Sequence, residues 1–445
     1  MSEQNPNPPA EAVDVAIARP PGFAPRGLFY GWMMVPVATA GIICTAPGQT
    51  FGISVFLPYV RDSLGLTRTQ TAGAYALGTC LAAVAMTFVG MAMDRFGLRR
   101  TLSVVVVMLA AGCVAMSAAS GMATLFLAFL LLRMFGQGSL GMLSGNTLAM
   151  WFHRRLGMAM GIMATGFAAA IALGPSFNYY LIQHLGWRSA YLVLGIIVLA
   201  IMGPLLLVVY RNQPEDVGQR VDGDALPDHD DAAEHASSER AFTLRQAMAT
   251  RSYWIAALCT GLFAFSVTAM ILCAPSIFES RGMSNDQAAA RLAQMTFAMG
   301  MTLLGGQFIA GLLADRIPLN WMLAAGTAAL GVAALILRRP DSAAWVISIG
   351  ILLGVAQGMI VAVASTIWVR YYGRANLGRI RGTLTTVGVA LSGAGPLLVD
   401  GLYEAVGSYR GVLLGLAIAP LPVAFAALFA TRPPLPAPAA TAPSR

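Results

Sequence analysis

The chain has 445 residues, of which 57% are hydrophobic and only 11% charged, and its mean hydropathy is +0.69. Soluble domains carry about a quarter charged residues, so a water-soluble globule is excluded. The formal charge of +8 rests on 28 basic residues, all of them Arg and scattered between long uncharged stretches. A nucleic-acid binder would gather them on a polar domain, so nucleic acid is not an expected partner.

Residues 1–29 are Pro-rich, contain Glu3, Glu11 and Asp14 and lack an apolar core, so they read as a disordered tail and not as a signal peptide. Twelve uncharged runs of 18 residues or more follow: 27–60, 69–93, 101–132, 134–153, 156–187, 189–210, 252–278, 292–314, 317–337, 342–369, 382–399 and 411–431. About 20 apolar residues span a bilayer as helix, and a helix satisfies its own backbone polar groups in hydrocarbon. The expected fold class is an all-α membrane protein with twelve transmembrane helices. Between spans 6 and 7, residues 211–250 hold nine acids and few apolar residues, the composition of a solvated linker. It separates an N-terminal six-helix bundle (30–210) from a C-terminal one (251–431), and the Pro/Ala-rich stretch 432–445 forms a second tail.

With the N-terminus inside, 19 Arg lie on the cytoplasmic side and 8 outside, with Arg133 in neither group. The positive-inside rule then puts both termini in the cytoplasm, in a multi-pass inner-membrane protein expected to be monomeric. The seven Trp, at 32, 151, 187, 254, 321, 345 and 368, fall near predicted helix ends, as interfacial anchors do.

The two bundles repeat one another. Gly-x-x-x-Asp94-Arg95 recurs as Gly-x-x-x-Asp315-Arg316, and Gly174-Pro175 as Gly395-Pro396, each 221 residues apart. Gly161 and Gly382 have the same separation. The segments LGLTRTQ (64–70) and RGMSNDQ (281–287) both carry an S/T-x-x-Q capping box, Thr67 with Gln70 and Ser284 with Gln287. Two pseudo-symmetric six-helix units are expected.

Two homologous six-span halves joined by a cytoplasmic linker resemble the major facilitator superfamily. Gly90-Met-Ala-Met-Asp94-Arg95-Phe-Gly97-Leu-Arg99-Arg100, between spans 2 and 3, resembles that family's loop motif, and Gly311-Leu-Leu-Ala-Asp315-Arg316 is a shorter echo. Tyr30-Gly31-Trp32, GQTFGISVF (48–56), YYGRANLGRIRG (371–382) and DGLYEAVGSY (400–409) are similar to blocks of its oxalate/formate-antiporter and monocarboxylate-porter branch. The stretch AIALGPSFNY (170–179) resembles an antiporter motif in part. The resemblance implies secondary transport by alternating access, as symport or antiport. It also implies a gating role for Asp94, Arg95, Arg99, Arg100, Asp315 and Arg316; alternatively their charge merely fixes topology. Gly174, Pro175, Gly395 and Pro396 suit hinge and packing work.

Residues 101–153 contain one charge, Arg133, in a length sufficient for two spans. The repeat places the break between them at 117–120, so Arg133 lies about 12 residues, roughly 18 Å, into span 4. An unpaired Arg there costs ~2.5–3.5 kcal/mol, so it is expected to face a central cavity, as a substrate ligand or bonded to backbone carbonyls. It matches a span-4 Arg common in the superfamily. Gln137 and Gln357 occupy matching places in the two halves, and Gln49, Thr50, Ser266 and Thr268 lie at similar depth. Asp400 and Glu404 on span 11 are candidate proton-coupling residues; like Glu279 on span 7, they also read as solvated helix ends. The branch's carboxylate porters resemble one another in having a cation in span 8 or span 11, but here both spans are uncharged, with Arg291 only at the mouth of span 8.

Cys44, Cys80, Cys113, Cys259 and Cys273 sit in apolar stretches without metal-site spacing and read as small buried hydrophobes. No Ser/His/Asp set or phosphate loop is present, and His153, His184, His229 and His235 fall in loops, linker or helix ends. An enzyme is not expected, nor a metal or other cofactor. The reading is a carrier of a small organic anion within the lipid bilayer; the alternatives are a proton-driven exporter of drugs or metabolites, and a non-transporting sensor or scaffold.

Overall fold

The computed structural model describes residues 29–223, 242–339, 342–372 and 377–434. Most of the acidic linker, nearly all of both tails and the Asp315 side chain lie outside the described residues.

Among the described residues, nine helical runs are long and apolar enough to cross a membrane. One of them, Leu156–Val209, holds two crossings, because Gly186 (φ 75) turns the chain back between 156–185 and 187–209. Two further helices, Asn285–Arg316 and Leu377–Val406, have 32 and 30 residues, ample length for a bilayer. The total is the expected twelve. In chain order these are α1 (Gly31–Ile43), α2 (Arg68–Phe96), α3 (Leu98–Ser117), α4 (Met122–Trp151), α5 (156–185), α6 (187–209), α7 (Arg251–Leu272), α8 (Asn285–Arg316), α9 (Leu319–Leu337), α10 (Ala343–Tyr372), α11 (Leu377–Val406) and α12 (Tyr409–Ala427). Both capping boxes form: Thr67 opens α2 and Ser284 opens α8. The α3–α4 break falls between Ser117 and Met122, as the repeat requires.

The first crossing is not one helix. After α1 the chain makes a short turn at Ala46–Gly48, becomes extended at Gln49 (φ −80, ψ 152) and resumes as Thr50–Ser54 and Leu57–Leu64. Pro47, which cannot donate to a helical ladder, sits in this interruption.

The halves meet where α5 crosses α8 and α2 crosses α11, at positions without bulk. A Cβ on Gly300 would lie 2.5 Å from the Ala172 nitrogen, and one on Gly393 would lie 3.2 Å from the Ala76 oxygen and 3.3 Å from Thr79 Cβ. Thr79 and Gly300 are 221 residues apart, and so are Ala172 and Gly393. The contacts Ala172–Gly300 and Thr79–Gly393 are therefore one contact made twice, as in a two-fold interface.

The hydrogen bonds and ion pairs resolved between described residues of the two halves lie on the side away from the linker, here termed the far side. Glu279 receives Arg61 Nη2 at 2.6 Å and Arg68 Nη2 at 3.3 Å. Asp286 accepts from Tyr59 and Gln183, both at 2.6 Å, and Asn285 donates to Asp62 at 2.7 Å. Glu404 accepts from the Thr69 N–H at 3.0 Å, so an acid of one half caps the first turn of α2 in the other. The far side is closed.

Two side-chain expectations need correction. Trp254, Trp321 and Trp345 are exposed like interfacial anchors, but Trp151, Trp187 and Trp368 are buried; Trp151 packs against Phe29 and Tyr30. Cys80 is exposed, unlike the other four cysteines. Its helix turns that face outward, where hydrocarbon lets a thiol do without burial in protein.

Gly300→Leu should force α5 and α8 apart and lower stability by about 1–3 kcal/mol, the usual cost of overpacking, read as a lower melting temperature in detergent. Cysteines replacing Asp62 and Asn285 in a background without the native five should crosslink on mild oxidation in membranes. Failure to link would show that the far side is not closed in the bilayer.

Candidate functional site: a chamber between the halves

A cavity of about 490 Å³ lies between the halves. Its walls bring together four residues singled out in the sequence: Gln49 and Thr50 from the interrupted first crossing, Gln137 from α4 and Gln357 from α10. Thr268 of α7 joins them, while Ser266 is fully buried with its hydroxyl unpartnered. The rest of the wall is largely apolar, with Phe51, Phe167, Phe263, Met299 and Trp368 the bulkiest members. None of the described lining residues is charged.

Arg133 stands behind this wall, only 2% exposed. Its Nε donates to Thr79 Oγ1 at 2.9 Å, and Nη1 to the Gly48 carbonyl at 3.2 Å and to Thr50 Oγ1 at 3.4 Å. The guanidinium lies over the Tyr75 ring, 4.7 Å from its centroid, and the Tyr75 hydroxyl is 2.8 Å from Thr50 Oγ1. Nη2 has no hydrogen-bond partner, and among the described residues no carboxylate stands within ion-pair distance of the group. Cation–π contact and neutral acceptors hold the side chain, but its charge is uncompensated. The Gln137 Oε1, one turn along α4 and on the chamber wall, is also unpartnered.

Local backbone makes this placement possible. The interruption of the first crossing frees the Gly48 carbonyl, which Arg133 then satisfies. Gly48 and Gly136 let the two backbones touch, since a Cβ on Gly136 would lie 2.9 Å from the Gly48 Cα. Around Arg133 helix α4 is wound as a π-helix from Leu132 to Leu140, a form concentrated at functional sites. Asn178 of α5 donates to the Gly52 carbonyl at 3.1 Å and steadies the resumed helix.

The remaining candidates lie apart from the chamber. Asp94 is exposed and makes no ion pair with Arg95, Arg99 or Arg100. Arg95 lies over Phe96, Arg99 donates to the Leu206 and Leu207 carbonyls at the end of α6, and Arg100 and Arg316 are exposed. At the far side Asp400 is 7% exposed and accepts from the Tyr409 hydroxyl at 2.8 Å; Tyr409 in turn is 3.4 Å from Arg68. Asp400 and Glu279 are thus not solvated helix ends, whereas Glu404 is exposed. Pro175 and Pro396 lie inside α5 and α11; Gly395 closely approaches the Phe265 carbonyl of α7, while Gly174 has room beside Phe51. Sequence reasoning missed the aromatic wall. Its only signal was depth, since Phe51 lies next to Thr50 and Phe263 lies five residues before Thr268.

The sequence model of a family described as Major Facilitator Superfamily matches residues 39–306 and again 256–445. An uncharacterised MFS-type transporter, YcxA, of Bacillus subtilis is 22% identical over 167 residues, 37% of this chain and 41% of that protein. Human monocarboxylate transporter 11 is 29% identical over 181 residues, 40% of this chain and 38% of that one. The chain thus spans about two-fifths of the length of these relatives. Among solved structures, a bacterial homologue of the human lysosomal transporter Spinster, inward-facing and unoccupied, has a TM-score of 0.64 at 16% identity, over 92% of this chain and 93% of that one. With twelve crossings, an internal repeat and a family match along nearly its whole length, the chain belongs to the Major Facilitator Superfamily, whose members are multi-pass membrane transporters working by alternating access.

Proposed function

We propose that this transporter moves a small organic anion, a monocarboxylate in class, and that Arg133 supplies the charge that recognises it. The observation that carries the reading is a buried guanidinium with no counter-anion, one nitrogen unpartnered, beside the chamber between the halves. Burying an unpaired cation is costly, and a carboxylate that reached Arg133 past Thr50 would offset that cost with charge-assisted hydrogen bonds. Similarity to a protein named monocarboxylate transporter 11 supports the same class. The Arg distribution supports a cytoplasmic linker side in an inner membrane, and with the far side closed this conformation reads as inward-facing. On outward opening, Asp94 and its neighbouring Arg residues close the linker side as the Arg61–Glu279–Arg68 latch parts.

Lys at position 133 keeps the charge and loses the planar fork; Gln loses the charge at similar length. Arg133→Lys is expected to bind a carboxylate weakly and Arg133→Gln not at all, measured by calorimetry on folded protein. Anion binding by Arg133→Gln as tight as wild type would leave Arg133 a structural clamp for the broken crossing and remove the reading.

Coupling is assigned to Asp400, buried beside Tyr409 and joined through it to Arg68. In proteoliposomes Asp400→Asn should lose accumulation driven by a pH gradient and keep substrate counterflow; unchanged accumulation would discard this role. The uncharged aromatic wall favours a second reading, export of apolar drugs or metabolites. Under it, Arg133→Gln would retain binding of cationic and neutral compounds that the carrier reading excludes.

A further inference from the structure

The geometry points to a substrate with a single anionic group on an apolar body of aromatic size, rather than a two- or three-carbon acid or a dicarboxylate. This rests on the anion reading above and narrows it.

Two features of the chamber carry the inference. Its capacity for polar recognition is lopsided. The unpartnered Arg133 Nη2 and Gln137 Oε1 both belong to α4 of the N-terminal half, where Arg133 is bonded to Thr50 and Gln137 shares the chamber wall with it. Across the chamber the hydroxyls of Thr260 and Ser392 already donate to carbonyls of their own helices, at 2.9 Å to Ala256 and 2.7 Å to Val389. That leaves the Gln357 amide and the Thr268 hydroxyl as polar groups facing from the other half, and among the described lining residues no charge with which to meet a second carboxylate. A dicarboxylate would therefore strand one anion against an uncharged wall, at the cost of desolvation without compensation.

The second feature is what fills the space between. Phe51 and Phe167, in edge-to-face contact at 6.1 Å, face the chamber from one half, and Phe263, Met299 and Trp368 from the other. A cavity of about 490 Å³ is within the range of sites for drug-sized ligands. A substrate as small as acetate, held at Arg133, would leave those rings against water. An apolar body attached to the carboxylate would cover them, with affinity rising about fourfold per buried methylene.

The test is competition by a graded set of acids against a labelled aryl acid, using the full-length protein in detergent and in proteoliposomes. The set is acetate, hexanoate, benzoate, phenylacetate and succinate, with phenylacetamide as the neutral control. Phenylacetate and hexanoate are expected to bind roughly 100- to 300-fold tighter than acetate, and succinate no better than acetate. Phe263→Ala and Phe167→Ala should weaken phenylacetate roughly five- to tenfold while leaving acetate unchanged. Phe263→Leu and Phe167→Leu, which keep the bulk, guard against loss of fold. If Arg133→Gln abolishes binding but affinity is flat along the series, or succinate binds best, the apolar-body inference is overturned and the anion reading stands. If phenylacetamide matches phenylacetate, the anion reading fails and the monoanion goes with it. If no acid binds, both fall.

Discussion

The structure turns on one guanidinium. A chain that interrupts its first crossing inside the membrane must find partners for the backbone groups it frees, and Arg133 provides one by donating to the Gly48 carbonyl. The same side chain holds Thr79 of α2 and lies over Tyr75, so a single residue of α4 ties the first, second and fourth crossings together. Removing it would leave a buried carbonyl without its donor, Thr79 without its bond to α4 and the aromatic face of Tyr75 without its cation. Stability of the N-terminal half and any recognition of an anion are thus linked through one group, which is why charge, fork geometry and length have to be varied separately there.

The C-terminal half lacks such a group. At the position corresponding to Arg133 it has glycine: Gly354 lies so close to α8 that a Cβ there would be 2.7 Å from the Met299 carbonyl. One half therefore spends this region on a buried cation and a broken helix, the other on close helix packing. The repeat builds a symmetric frame, visible in the doubled Ala172–Gly300 and Thr79–Gly393 contacts, and the chemistry sits where the frame departs from symmetry.

Much of this was legible in the sequence because it is governed by strong, local terms. Uncharged runs of bilayer length, Gln70 and Gln287 three residues after their capping hydroxyls, and equal separations between recurring motifs each reflect a constraint that acts within a single helix or loop. The depth of Arg133 followed from the repeat alone. What could not be read was direction. Helices in lipid are apolar all round, so the sequence holds little to separate Trp368, which turns inward to the chamber, from Trp321, which faces out. The break at Pro47 was masked by the apolar run that contains it, and the far-side latch joins Arg61 and Glu279 across 218 residues, beyond any local pattern. Partners at such distance are set by how the halves dock, which composition does not encode.

The π-helical stretch of α4 has a bearing on how the two halves differ. Gln137 and Gln357 are 220 residues apart, one fewer than the 221 that separates the motifs on either side of them. The two halves are equally long between those motifs, so within the repeat Gln137 sits one residue later than Gln357, and the shift falls inside the wider winding from Leu132 to Leu140. A one-residue shift along a plain α-helix would turn a side chain by about 100°; with α4 wound more widely here, both glutamines nevertheless reach the chamber. Two units of equal length thus place their glutamines on one chamber wall through different helix windings, and the departure from symmetry beside Arg133 stays within a few turns of α4.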